Sequence, residues 1–422
     1  SNASEIVDYA LKAFSQKSLG GNKNVIAVKR VKNINFAYYC SEKFPALKRL
    51  SDTPERASTV YKLLQDKGFG QEADLVLAET KRASVSFGRQ LFVTYDSISP
   101  TALETYFACP YRNFMQQGLK LQEREEGAMR PLDTGNFIHT VLQNLAPGIG
   151  TCANEEEAKS RAAAEAEKLL KSKTYASLID TKSGRYTADG LVKEAGEVTA
   201  GMYAQLANSK FEVENTEWRC EINLDSGVRI NGRIDRVDRC GDMVRIIDYK
   251  TGTIDSSVTK YYMGLKLQLP LYLTAAATGR RAVGAYYFPA SVEYKPKADG
   301  VFRLQGFMDG SDEVVSNSDT TLQPKQKSEY FDAYLSGRKV DSAMDNEIFA
   351  DFLHYSALIA RKGTREMIGG NIAPSPAADA CKYCKMGGSC NFAVGVDGEE
   401  RSAKTVKCAD IAKIVRRQRG DE

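Results

Sequence analysis

The chain has 422 residues, of which 42% are hydrophobic and 27% charged, with a formal net charge of +4 and nine cysteines. That length exceeds what one hydrophobic core usually supports, so two or three packed units are expected, and the composition excludes the disordered and fibrous classes. So small a charge on so long a chain excludes attraction to an acidic polymer through the overall field, leaving local patches as the only electrostatic route.

Ser1, Asn2 and Ala3 read as the scar of tag removal, which puts the natural start elsewhere. There is no apolar run of about 18 residues, and no charged start leading into an apolar segment and a small-residue cleavage site. No membrane partner is therefore expected, and the expected location is cytoplasmic.

Residues 4–95 read as a mixed α/β N-terminal region. It has a helical start, an apolar strand at Asn24–Val31, helical periodicity from Pro54 to Gln65 and a strand at "LFVTY". Ser99 followed by Pro100 is a cap and first-turn pair opening a helix through "TALETYFA", which Pro110 ends just after Cys109. A second helix, from Thr134 and Gly135, carries Phe137, Val141 and Leu145 at helical spacing and His139 among them. A lone histidine on an apolar helix face is more often a satisfied core residue than a ligand. The stretch from Asn154, rich in Ala, Glu and Lys, predicts a long exposed scaffold helix. Another helix is expected from about Leu191 to Ala207, and strand-forming residues begin at Phe211. No internal repeat and no phosphate-binding GxxxxGK[ST] loop occurs.

Gly227–Gly252 reads as two strands joined at Gly241 and Asp242, a favourable two-residue turn. That turn sets Asp235 directly across from Asp248, with Cβ atoms roughly 4.5–5.5 Å apart. Facing carboxylates destabilise a sheet unless something positive lies between them, and a divalent cation is the natural occupant. Hard Mg²⁺ or Mn²⁺ takes carboxylate oxygens and acidifies a bound water. Lys250, two residues beyond Asp248, projects to the same side and is placed to position that water. This is a phosphodiester-cleaving constellation; the alternative is the polar face of a solvated hairpin. In "KLQLPLYLTAAATG", Gln268 and Tyr272 share a helix face, where they either brace the site or simply cap and pack.

Nine cysteines without a secretion signal point to a metal or cluster site for a subset. Cys381, Cys384 and Cys390 supply three closely spaced thiols, suited to zinc or an iron-sulfur cluster. Cys109, at the helix break, is the best-placed fourth, whereas Cys220, Cys240 and Cys408 read as bystanders. A cluster joining Cys109 to the trio would act structurally, clamping distant segments.

Taken together, "GNFIHTVL", "GRIDRVD", "IIDYKTG", "QLPLY" and the split cysteine set resemble the RecB-like branch of the PD-(D/E)XK nucleases, and most closely the iron-sulfur nuclease region of AddB-type subunits of bacterial helicase-nucleases. The resemblance implies a restriction-endonuclease-like α/β fold with a mixed central sheet flanked by helices and an iron-sulfur staple. It implies that His139, Asp235, Asp248 and the Tyr249 carbonyl bind Mg²⁺ or Mn²⁺, that Lys250 is catalytic, and that Gln268 and Tyr272 form a supporting Q-x-x-x-Y motif. Cys109, Cys381, Cys384 and Cys390 would hold a 4Fe-4S cluster. The nuclease domain would span 96–395, followed by a basic tail over 396–422 whose "KIVRRQRG" suits phosphate contacts, and residues 4–95 would be the end of a helicase-like portion. The expected activity is cleavage of single-stranded DNA ends beside an AddA-like partner subunit. The alternatives are a stand-alone exonuclease of the CRISPR-adaptation type and a non-catalytic DNA-binding or scaffold module.

Overall fold

In a computed structural model of the chain, residues 84–121, 131–224, 227–292, 302–387 and 398–420 are described, together with isolated positions at 62, 66, 68, 390, 392 and 394. The strand expected at 24–31 and nearly all of the helix expected at 54–65 lie outside the described residues. Two compact units are present. One comprises the described residues up to Phe92 with Thr105–Glu123 and Arg365–Ser402; the other comprises Val93–Glu104, Arg124–Thr364 and Ala403–Glu422.

The larger unit is built on a seven-stranded mixed sheet: β1 (Ser97–Ile98), β2 (Glu212–Leu224), β3 (Val228–Cys240), β4 (Met243–Lys250), β5 (Arg281–Pro289), β6 (Gln305–Asp309) and β7 (Ala343–Met344). The order is β1-β3-β4-β5-β6-β7, with β2 also paired to β3. The pairs β2/β3, β3/β4 and β5/β6 are antiparallel; β1/β3, β4/β5 and β6/β7 are parallel. Strand β4 reads MVRIIDYK and is buried along most of its length, as a strand covered on both faces must be.

The helices are α1 (Gly88–Phe92), α2 (Pro100–Ala108), α3 (Pro110–Asn113), α4 (Pro131–Ile149), α5 (Glu155–Leu170), α6 (Lys182–Ala207), α7 (Val258–Tyr262), α8 (Gln268–Ala276), α9 (Asp312–Ser318), α10 (Asn346–Ile368) and α11 (Cys408–Arg419). One side of the sheet packs Ile247, Tyr249 and Phe288 against Phe137 and Val141 of α4 and Ala195 and Val198 of α6. The other packs Ile246, Ala285 and Tyr287 against Leu269 and Leu273 of α8, Phe352 of α10 and Ile411 of α11. This is the mixed sheet flanked by helices that the resemblance implied.

Four elements differ from expectation. The helix expected to be exposed, α5, buries Ala158, Ala162, Ala166 and Leu170 at four-residue spacing. Alanines carry too little apolar area to stand out by composition, yet they let a neighbouring helix approach closely. Helix α6 starts at Lys182, where the Thr181 hydroxyl caps the Gly184 N–H at 3.0 Å. The C-terminal segment is a docked helix, with Cys408, Ile411, Ala412 and Val415 buried. Its Arg416 and Arg419 donate to Asp351 of α10 at 3.0 and 3.1 Å, so their charges are already paired. The strand expected at "LFVTY" is instead the end of α1 and a tight turn in which Thr94 and Ser97 exchange backbone hydrogen bonds of 3.1 and 3.0 Å.

In the smaller unit the Tyr106 hydroxyl donates to Glu366 at 2.9 Å and accepts from Asn371 at 2.8 Å. Gly370, at φ +76°, lies so close to Val85 that a Cβ would be 1.8 Å from the Val85 carbonyl oxygen. Only glycine fits there.

Beneath the β3/β4 hairpin, Arg236 and Arg245 share one carboxylate, Asp238, and all three side chains are at most 1% exposed. Arg236 donates to Asp238 through two nitrogens at 2.8 Å and to Gln205 of α6 at 2.7 Å, while Arg245 reaches Asp238 at 3.0 Å and covers the Phe211 ring at 4.3 Å. Removing the shared carboxylate would strand two buried cations. Asp238→Ala is therefore expected to cost about 3–5 kcal/mol, measured by equilibrium chemical denaturation; a loss under about 1 kcal/mol would show that the cluster contributes nothing.

Candidate active site

The turn at Gly241, φ +63°, does what its sequence requires. The β3/β4 ladder pairs Cys240 with Met243 and ends at Arg236 with Ile247, so Asp235 and Asp248 lie immediately beyond its last pair. The Asp235 carboxylate accepts the Tyr249 backbone N–H at 2.7 Å, which ties it to the neighbouring strand. Asp248 accepts from the Gln268 side-chain amide at 2.6 Å. Gln268 begins α8, and its own backbone N–H and that of Leu267 are capped by Glu104 of α2 at 3.0 and 2.7 Å. Thus Glu104 fixes the start of α8, α8 aims Gln268, and Gln268 orients Asp248.

His139 projects from α4 toward the same place, its Nδ1 3.6 Å from Asp235 Oδ2 and its ring edge-on to Tyr249 at 5.7 Å. The structure therefore brings His139, Asp235, Asp248, Tyr249 and Gln268 together. Lys250 follows on β4 with its side chain exposed, close enough that its charge favours the ionised forms of both aspartates. Tyr272 stands one step back. It is 7% exposed and lies so tightly under Gly232 that a Cβ there would be 2.3 Å from its ring. Its contact with the motif "GRID" combines this packing, which glycine permits, with a hydrogen bond that its oxygen accepts from the Arg233 backbone N–H.

Burial dominates the electrostatics. It pushes the Asp235 carboxyl up, against the Tyr249 N–H, Arg233 and Lys250. It pushes Asp248 up as well, reinforced by the charge of Asp235 and opposed by Lys250. Burial holds His139 below its usual value, against the charge of Glu217. Two carboxylates facing each other in a low-dielectric setting are a poor arrangement by themselves and a good one around a cation.

Two neighbours were not apparent in the sequence. Glu104 is contributed from a helix 163 residues before the backbone it caps, and no local signal announces it. Glu217 lies across from Asp235 on β2, since its neighbours Thr216 and Trp218 pair with Arg236 and Ile234; it sits at φ +51° and pairs with Arg233. The pairing of Leu224 with Val228 fixes that register, so strand arithmetic could have found it.

The donor set suits a hard divalent cation: two carboxylates, an imidazole and a backbone carbonyl. The side chains are neighbours without being drawn onto one point, for among the described residues no three His, Cys, Asp or Glu groups converge as a metal centre.

The smaller unit contains the four cysteines singled out as cluster ligands. Cys109 is buried between α2 and α3, in extended conformation at φ −167° with Pro110 behind it. Ala377 N–H bonds Ala108 C=O at 2.8 Å, and Arg401 joins the Ser375 carbonyl at 3.0 Å and that of Phe107, bringing the C-terminal loop to this break. Cys381, Cys384 and Cys390 follow on successive turns. Burial raises the Cys381 and Cys390 thiols, and the charges of Cys109 and Cys384 raise both further. The four sulfurs are thus near enough to sense one another, although they too are not closed to ligating distance. Cys152, Cys220 and Cys408 are buried in the larger unit, and Cys40 lies outside the described residues.

A sequence model described as the PD-(D/E)XK nuclease superfamily matches residues 97–391. The chain is 25% identical over 380 residues to the B-type subunit of the ATP-dependent helicase/deoxyribonuclease of Clostridium perfringens strain SM101, covering 77% of this chain and 32% of that one. The protein of the same name from Clostridium novyi is 26% identical over 388 residues, covering 80% and 33%, and that from Thermoanaerobacter sp. X514 is 25% identical over 365 residues, covering 74% and 31%. The chain therefore spans about a third of the length of these relatives.

The facing carboxylates give a direct test of cation binding. Without metal, Asp248→Asn is expected to melt at or above the wild-type temperature, because one of two opposed charges is gone. Mn²⁺ at a hundredfold excess over its Kd should raise the wild-type midpoint by about 5 °C and leave the variant unmoved in differential scanning fluorimetry. Equal responses would place the cation elsewhere.

Proposed function

The chain belongs to the PD-(D/E)XK nuclease superfamily, and from that premise we propose that it is a metal-dependent deoxyribonuclease hydrolysing phosphodiester bonds in single-stranded DNA at processed double-strand breaks. It would act beside an AddA-like helicase-nuclease partner, in keeping with the names of its relatives. The observation that carries the reading is the gathering of Asp235 and Asp248 at the end of the β3/β4 ladder, with Asp235 tied to the Tyr249 N–H, His139 3.6 Å from it and Lys250 two residues beyond Asp248.

Asp235, Asp248, His139 and the Tyr249 carbonyl would hold Mg²⁺ or Mn²⁺. Such an ion supplies Lewis acidity and positive charge at the scissile phosphate. The residues do the rest. Lys250, exposed and beside both aspartates, orients the attacking water and steadies charge on the phosphate oxygens. Gln268 keeps Asp248 in one orientation, and Tyr272 supports the β3 backbone from below. Attack is in line, with the leaving oxygen departing opposite the water.

Cys109, Cys381, Cys384 and Cys390 would hold a 4Fe-4S cluster with a structural role. Among the described residues no helix is long and apolar enough to cross a membrane, and the location we propose is the cytoplasm.

Anaerobically purified protein is expected to cut end-labelled single-stranded DNA with Mg²⁺ or Mn²⁺ and to stop in EDTA. Lys250→Ala should lower the rate by about 10²–10³-fold and Asp248→Ala should abolish cutting, both with unchanged melting; undiminished cleavage by Asp248→Ala would refute this active site. Cys109→Ala should lose bound iron and melt at lower temperature, and full iron retention would remove Cys109 from the ligand set.

A further inference from the structure

We infer that Arg233, held in place by Glu217, binds the phosphate adjacent to the scissile one on the DNA strand, an assignment that rests on the nuclease reading above. Arg233 lies two residues before Asp235 on β3. Two residues along a strand span roughly 7 Å, a spacing comparable with that of successive phosphates along an extended single strand.

The ion pair is lopsided. The Arg233 side chain is 64% exposed, while its partner Glu217 is 19% exposed. Glu217 engages Arg233 through Nε. A guanidinium carries five N–H donors in a planar fork, so most remain to face solvent. An ordinary surface pair would contribute about 0–1 kcal/mol and would not need an unusual backbone. Glu217, however, is a non-glycine residue at φ +51°, a conformation costing about 1–2 kcal/mol for a residue with a Cβ. Such strain persists where the surroundings hold it and clusters at ligand clamps.

The direction of the fork matches. Arg233 acts on Asp235 and on His139, favouring the charged form of the first and disfavouring that of the second. Its partner Glu217 stands across from Asp235 on β2, so the guanidinium held there lies beside the metal-site residues. Asp235, Asp248, Glu217 and Glu104 form a predominantly acidic surround that would repel a polyanion. Lys250 belongs to the reacting phosphate, and Lys266, whose charge also reaches Asp248, leans over the Tyr287 ring at 5.8 Å and offers a point charge without a fork. Arg233 is the exposed cation positioned for the neighbouring phosphate, and its fork suits two phosphate oxygens at once.

Fluorescence anisotropy with a labelled single-stranded oligonucleotide, Ca²⁺ replacing Mg²⁺, reads this separately from cleavage. Arg233→Ala is expected to weaken binding about tenfold at low salt and to reduce the slope of log K against log salt by about 0.7. Arg233→Lys should restore the slope and part of the affinity, since the charge returns without the fork. Arg233→Gln serves in place of the alanine variant if the latter melts early. Glu217→Gln, which keeps the guanidinium charge but loosens its anchor, should weaken binding without changing the slope. If wild type shows metal-dependent cutting but Arg233→Ala keeps both wild-type affinity and slope, this inference fails alone. If wild type neither binds nor cuts DNA, the nuclease reading fails first.

Discussion

Pairing of β3 with β4 is the constraint on which the site depends. A two-residue turn at Gly241 and Asp242 admits one register, and that register sets Asp235 beside Asp248 and Tyr249. A slip of one residue would turn every side chain of a strand to its opposite face, sending the carboxylate into the helices and an isoleucine into the site. The buried Arg236–Asp238–Arg245 cluster secures the arrangement, because Asp238 and Arg245 are themselves a cross-strand pair of the same ladder. Two guanidiniums sharing one carboxylate out of water make a modest contribution to stability at best, yet no shifted pairing can satisfy them. Its value lies in specificity.

Strand β3 also changes its orientation at the site. Gly232 and Ile234 face α8, whereas Arg236 and Asp238, an even number of residues further on, face α6. Regular alternation would have kept all four on one side. The irregularity falls at Asp235, opposite the left-handed Glu217. This roll lets one strand serve a packed apolar face, a buried ionic cluster and a polar site within a few residues. It also explains why His139 of α4 and Gln268 of α8, from helices assigned to opposite sides of the sheet, approach neighbouring carboxylates.

What could be read in the sequence was local. A glycine-containing turn fixed the hairpin register by strand arithmetic, Ser99 and Pro100 marked the start of α2, and Pro110 placed Cys109 at a break. Features that needed a partner from elsewhere were not legible. Glu104 reaches α8 across the fold, and the burial of Arg236 and Arg245 depends on Gln205 and Phe211. The alanine stripe of α5 resembled a solvated helix because alanine is nearly neutral in apolar area. Helix α11 resembled a tail because its basic residues dominate its composition, although Ile411 and Val415 carry helical spacing. Strands β5 to β7 and helix α10 drew no reading of their own, since their runs lack chemistry that stands out.

The smaller unit is assembled from segments widely separated along the chain: the Tyr106–Glu366 hydrogen bond spans 260 residues, with most of the larger unit lying between them in sequence. During synthesis at about 5–20 residues per second, roughly 13–50 s separate the emergence of the two partners. Over that interval the segment around Cys109 must wait while the β-sheet encoded after it can already close. A ribosome that stalls within α10 would release a chain with all seven strands but an unmatched helix break at Cys109, a half-made species that quality-control proteases could distinguish from the finished chain.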